Sequence, residues 1–191
     1  KNDVLAHESS LKLAKANFYN KDFDCTLQQV KNLKQSSSLL IANDAVELFL
    51  LIQDNSIEDS LRVALQAYAK ADLQLYQKKN EEALQSFLTI LEKHKGESIE
   101  DETLLKIADI YYQKKDYLKA LSYYQNILDN HKDGIYIDEA LYFSAEIYRK
   151  HLLDNEKAKA LYEKMVLEHP DSLYYTESRK QYRTLRGDTT I

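Results

Sequence analysis

Three alanines, Ala71, Ala108 and Ala145, stand 37 residues apart. Ala83, Ala120 and Ala158 follow them by 12, 12 and 13 positions, and Phe87, Tyr124 and Tyr162 follow that second series by four each. A period of 37 to 38 that preserves small and aromatic positions, rather than polar or glycine positions, describes one supersecondary unit stacked on copies of itself. A small residue recurs where two helix axes must approach to about 8–10 Å, because anything larger than a methyl would hold them apart. The repeat therefore says much about architecture and surface, and little about the identity of a partner.

Composition narrows the unit to helices. The 191 residues include 3 glycines and 1 proline, too few for the many turns of a β-rich chain, which need positive or fixed φ. The fold class expected is all-α, with long helices and short connections. A net charge of −5 opposes a general nucleic-acid role, since binding to phosphates is driven by basic patches that release counterions. Cys25 stands alone, so it forms no intramolecular disulfide, and it reads as a small packed residue rather than a reactive thiol. No apolar run approaches the ~18 residues of a membrane span. The chain begins at Lys1 without Met or a signal-like segment, as a piece of something larger would.

Helical spacing places Leu5, Leu11, Ala14 and Phe18 on one helix and Leu27, Val30 and Leu33 on a second, with Asp22 as the N-cap between them. These form an N-terminal hairpin over 1–35. A strongly apolar helix over 37–56 follows, expected to be buried on most of its circumference and out of phase with the repeat. Three regular units over 58–170 come next: 58–79 with 81–94, 101–115 with 117–130, and 137–151 with 156–168. Gly96 and Gly134 fall between hairpins, where a left-handed residue suits glycine, and Pro170 stops the third. A capping helix over 171–186 would turn Tyr174, Ser178, Tyr182 and Leu185 inward and Arg179, Lys180, Arg183 and Arg186 to solvent. Residues 187–191 are expected to be disordered.

Leu104, Ile107, Ala108, Tyr111, Tyr117, Ala120, Tyr124, Ile127 and Leu128 carry a resemblance to the tetratricopeptide repeat family, repeated by Leu141, Ala145, Tyr148, Ala158, Tyr162 and Pro170. Ala71, Ala83, Phe87, Ile90 and Leu91 carry it in the first unit, and Ala14 and Phe23 are its remnants near the start. The resemblance implies a right-handed α-hairpin solenoid over 1–191, about ten helices with the C-terminal cap included, and a role in protein–protein interaction. The units are longer than the family's usual 34 residues, as in bacterial members that include periplasmic proteins of envelope assembly and division; the likeness leaves the compartment open.

Asp72, Asp109 and Glu146 directly follow the three alanines. In the arrangement the resemblance implies, that position faces the concave groove, with Tyr68, Tyr76, Leu105, Tyr112, Tyr142 and Arg149 as companions. The functional reading is a groove for a partner segment, with tyrosine rings supplying area and carboxylates selecting basic or N–H-rich ligands. The competing reading is a solvated helix face. Family members that clamp acidic C-terminal peptides use cationic and amide side chains at such positions; three carboxylates would repel that ligand. A structural role, with self-association of copies or assembly of a larger complex, is the alternative to a peptide groove.

His94, His131 and His169 share the period, but successive repeats lie too far apart to ligate one ion, and a helix C-terminus favours a cationic side chain. Carboxylate pairs such as Glu81–Glu82 belong to helix starts for the opposite reason. The chain carries no glycine-rich phosphate loop, no HExxH, GxSxG or CxxC. No catalytic residue, cofactor or metal is expected.

Overall fold

A computed structural model describes residues 2–57, 61–132 and 134–188, and everything in the described part is helix or connection. Ten α-helices occur there in the order α1 Asn2–Tyr19, α2 Phe23–Leu33, α3 Leu39–Asp54, α4 Val63–Tyr76, α5 Asn80–Lys93, α6 Glu100–Gln113, α7 Tyr117–Asn130, α8 Ile137–Ile147, α9 Asn155–Glu168 and α10 Tyr175–Arg186. A π-helical turn, Tyr148–Leu152, extends α8. The helices group into two compact units, 1–100 and 101–191.

In both units the hairpin turn is made the same way. One non-glycine residue takes the left-handed conformation, Lys21, Lys78, Lys115 or Leu153, with φ between 54° and 66°, and the residue after it caps the next helix. Asp22, Asp116 and Asp154 do so with their carboxylates, which accept from the backbone N–H of Cys25, Lys119 and Lys157 at 3.2, 3.3 and 3.1 Å. Each bond satisfies one of the donors that a helix start leaves without a partner. Lys79 occupies the same place before α5 and makes no side-chain cap.

The alanine and aromatic series are the core. Ala71, Ala83 and Phe87 in the first unit, and Ala108, Ala120, Tyr124, Ala145, Ala158 and Tyr162 in the second, are all fully buried. In the first unit α2 packs on α1, α4 on α5 and on α1, and α3 against α2 and α1. In the second, α8 packs on α7 and α9, and α10 on α9. There Tyr142, Tyr148, Leu161, Tyr182 and Leu185 surround Ala145, Ala158 and Tyr162, while Arg179, Lys180 and Arg186 stay exposed.

Four expectations are revised. The helix anticipated from residue 58 starts at Val63, because Arg62 takes φ 53°; residues 58–60 lie outside those described. The α3 helix is covered on one side only and leaves Leu39, Leu40 and Val46 exposed. Gly96 takes the left-handed φ of 81°, but Gly134 does not, and a Cβ there would lie 3.0 Å from both Asp101 Oδ2 and the His131 carbonyl oxygen. Gly187 caps α10 and Asp188 pairs with Arg186 and Arg183; the rest of the anticipated tail, 189–191, lies outside the described residues.

Candidate functional site

The three carboxylates after the small alanines share an inward partner. Asp109 on α6 accepts the Tyr124 hydroxyl of α7 at 2.8 Å, and Glu146 on α8 accepts the Tyr162 hydroxyl of α9. Tyr124 and Tyr162 are the repeating aromatic of the second helix, so repeat geometry brings the two series together. In the first unit that aromatic is Phe87, which has no hydroxyl, and Asp72 instead accepts from Tyr19 of α1 at 3.0 Å. Burial and the adjacent carboxylates push the hydroxyls of Tyr19, Tyr124 and Tyr162 well above the usual tyrosine range, which keeps them protonated and donating.

Glu146 is the most constrained of the three. It is buried, and Arg149 donates to Oε1 through Nε at 3.2 Å and Nη2 at 2.9 Å, while the Lys150 ammonium pairs with Oε2. Burial alone would raise its pKa; the hydrogen bonds from Lys150, Tyr162 and Arg149 outweigh burial and hold the carboxyl below its ordinary range. Two cations on one carboxylate leave this part of the face positive rather than acidic. Arg149 also donates to the Tyr162 hydroxyl at 3.2 Å, so it belongs to the same cluster.

Of the anticipated groove residues, Tyr68 and Leu105 lie in the interior instead. Tyr68 is buried edge-on against Phe87 at 5.4 Å, and Leu105 is buried in the second unit. The side chain three residues before the alanine points into the core there, and only Tyr142, at the same register on α8, reaches the surface. Tyr76 is exposed beside Tyr19, with ring centres 5.9 Å apart. Tyr76 and Asp72 belong to the first unit, and Leu105, Asp109, Tyr112, Tyr142, Glu146 and Arg149 to the second.

Within the second unit the rings form a connected run that spacing alone does not disclose. Tyr112 meets Phe143 at 6.1 Å, Phe143 meets Tyr142 at 5.5 Å, and Tyr142 stacks on Tyr174 at 4.5 Å with planes 16° apart. On its other side Tyr112 sits edge-on to Tyr117 and His151, which stack on each other at 3.9 Å. Tyr112 and Tyr142 are half-buried, and neither hydroxyl is hydrogen-bonded among the described residues. Tyr174 is fixed by its hydroxyl bond to Glu139 at 3.0 Å. His151 enters through the π-helical turn, which carries the residue added between α8 and α9; a 38-residue interval in place of 37 was the one signal of it.

His94, His131 and His169 are the C-cap residues of α5, α7 and α9. Their backbone N–H groups close the last turns, and His94 and His169 pair with Glu97 and Asp138 at 3.0 and 2.7 Å. Among the described residues no helix is long and apolar enough to cross a membrane.

Residues 102–134 and 139–172 each match the sequence profile of the tetratricopeptide repeat family. The two segments coincide with the α6–α7 and α8–α9 hairpins, so the second unit is a tandem of tetratricopeptide repeats followed by α10. No curated protein matches the chain. Repeats of this kind mediate protein–protein interaction or scaffolding.

Proposed function

We propose that this chain is a non-catalytic interaction module that holds a segment of a protein partner on the aromatic face of its second unit, around Tyr112, Tyr142, Asp109 and Arg149. The observation that carries the reading is the connected, half-exposed run of rings with two uncommitted hydroxyls. Large rigid side chains supply contact area at low entropic cost, and their free hydroxyls meet the backbone groups of an extended or helical segment. The carboxylates contribute differently from a simple acidic ladder. Asp109 holds the Tyr124 hydroxyl, and Glu146 is occupied by Tyr162, Arg149 and Lys150. The negative charge of half-exposed Asp109 favours basic side chains nearby, while Arg149 and Lys150 favour acceptors. Tyr76 and Asp72 would form a smaller surface of the same kind on the first unit.

The test is cross-linking from this face. A photo-cross-linker placed at Gln113, exposed one position beyond Tyr112, should capture one dominant partner in the source cell, and Tyr112→Ala with Tyr142→Ala should remove that adduct while far-UV helicity is unchanged. Asp109→Lys is a poor probe, because it also deprives the buried Tyr124 hydroxyl of its acceptor. An adduct that survives the double substitution, or that consists of a second copy of the chain, would sink the proposal.

A further inference from the structure

The α3 helix carries two apolar stripes. Ile41, Ala45, Leu48, Leu51 and Ile52 are buried, and α1 and α2 are the neighbours it packs against. On the other side Leu39, Val46 and Leu50 recur at i, i+7 and i+11, with the polar, exposed Asn43 at i+4; Leu39 is 79% exposed, Val46 37% exposed and Leu50 half-buried. Leu40 beside them is 74% exposed. That spacing is the anchor pattern by which one helix lies along another. A surface helix whose polar side faced solvent would carry charged residues there.

The two edges of the exposed stripe differ in charge. The helix contains Asp44, Glu47 and Asp54 and no lysine or arginine. Asp44 is paired with Lys15 at 3.0 Å, and the Lys34 ammonium sits 3.1 Å from the centre of the Phe49 ring. Glu47 and Asp54, seven residues apart and so on one edge, are both exposed and have no cationic partner among the described residues. Two copies of the chain meeting antiparallel through this stripe would bring those acidic edges together, and like charges across a contact are unfavourable; a parallel pair would leave both acidic edges facing neutral side chains, unneutralised. A basic helix meets both demands, covering the leucines and neutralising the edge.

We propose that the exposed stripe of α3 is the docking surface for a basic amphipathic helix of a partner protein, apolar at i, i+4, i+7 and i+11 and carrying Lys or Arg on the edge that meets Glu47 and Asp54. The surface lies on the first unit and is independent of the aromatic face described above.

The experiment uses the full chain and a pair of fluorescent, end-capped helical peptides of roughly 18 residues, long enough to hold helix when docked. One has Leu at the four anchor positions with Lys on one edge; its twin has Glu in place of each Lys. Anisotropy titration should show the Lys peptide binding about tenfold or more tighter than the twin. In Glu47→Lys with Asp54→Lys the preference should reverse, which a diffuse attraction to an acidic protein would not produce. Val46→Lys should weaken the Lys peptide by about tenfold, whereas Tyr112→Ala should leave it unchanged. Leu39→Ser, at a site that touches little, replaces Val46→Lys if that variant melts early. Equal affinity for the twins, an order that survives the charge reversal, or indifference to both apolar substitutions would overturn the proposal. So would a peptide-free dimer in light scattering that Val46→Lys abolishes, since the stripe would then belong to a second copy.

Discussion

Replacing Tyr124 by Phe isolates the inward bond of the second unit. The ring is fully buried and the hydroxyl donates to Asp109 Oδ1 at 2.8 Å. Phe87 holds the equivalent place in the first unit and is equally buried, so the ring fits without a hydroxyl and the substitution opens almost no cavity. What is lost is one hydrogen bond to a charged acceptor, worth roughly 1.5–3 kcal/mol. Asp109 is half-exposed, so water partly replaces the donor, which places the expected loss at the lower end, about 1.5 kcal/mol. Urea unfolding should show that loss with an unchanged denaturant slope. A double-mutant cycle with Asp109→Asn should give a coupling of about 1 kcal/mol, because both substitutions remove the same bond. A loss below about 0.5 kcal/mol, or additive substitutions, would refute the claim that the carboxylate works inward.

Other substitutions test the rest of the frame. Ala108→Leu should cost about 1–3 kcal/mol by overpacking a fully buried hairpin seam, read as a lowered urea midpoint; an unchanged midpoint would contradict the packing argument. Glu146 has its folded pKa below the ordinary value of 4.5, so its contribution is present above about pH 4.5 and is lost as the pH falls through the lower folded value. Glu146→Gln should therefore be less stable than the parent at pH 7, by roughly 1–3 kcal/mol, and the gap should shrink towards pH 3; a gap independent of pH would refute the assignment.

The alanine period was legible because close helix packing leaves no choice of residue size, and all six alanines are buried as that argument requires. The hairpin caps were legible at Asp22 for a similar reason, since a short acceptor before a helix has one evident use. The left-handed Lys21, Lys78, Lys115 and Leu153 were not, because their conformation is imposed by tight reversal between two packed helices and not by the residues themselves. The aromatic face was legible only in part. Spacing along α6 and α8 identified Tyr112 and Tyr142, but not Phe143 beside Tyr142 on α8, and Tyr174, Tyr117 and His151 join them from other elements, a meeting that depends on how the helices stack. The depth of Tyr68 and Leu105 was hidden for the same reason: an apolar residue at the edge of a helix stripe reads alike whether a neighbour covers it or not.

The carboxylates carry the sharpest lesson, because the residue after a packed alanine lies about 100° further round the helix, between seam and solvent. Whether it faces a ligand or a neighbour depends on what the next helix can reach with. At Asp109 and Glu146 the neighbour supplies a tyrosine hydroxyl, and where the repeat has Phe87 the donor comes from α1 through Tyr19. Three acceptors served from two different places in the fold indicate that the position itself requires a donor. That requirement yields a rescue experiment. Tyr19→Phe should cost about 1–2 kcal/mol by leaving half-buried Asp72 without its hydroxyl. Adding Phe87→Tyr should then restore most of the loss, because repeat equivalence places the new hydroxyl beside Asp72 as Tyr124 lies beside Asp109. Phe87→Tyr in the parent should gain little, since Asp72 already has a donor and the added hydroxyl displaces apolar packing at a fully buried ring. If the double variant is no more stable than Tyr19→Phe alone, the equivalence of the first unit to the two matched repeats fails at this position, and the shared inward role of the three carboxylates fails with it.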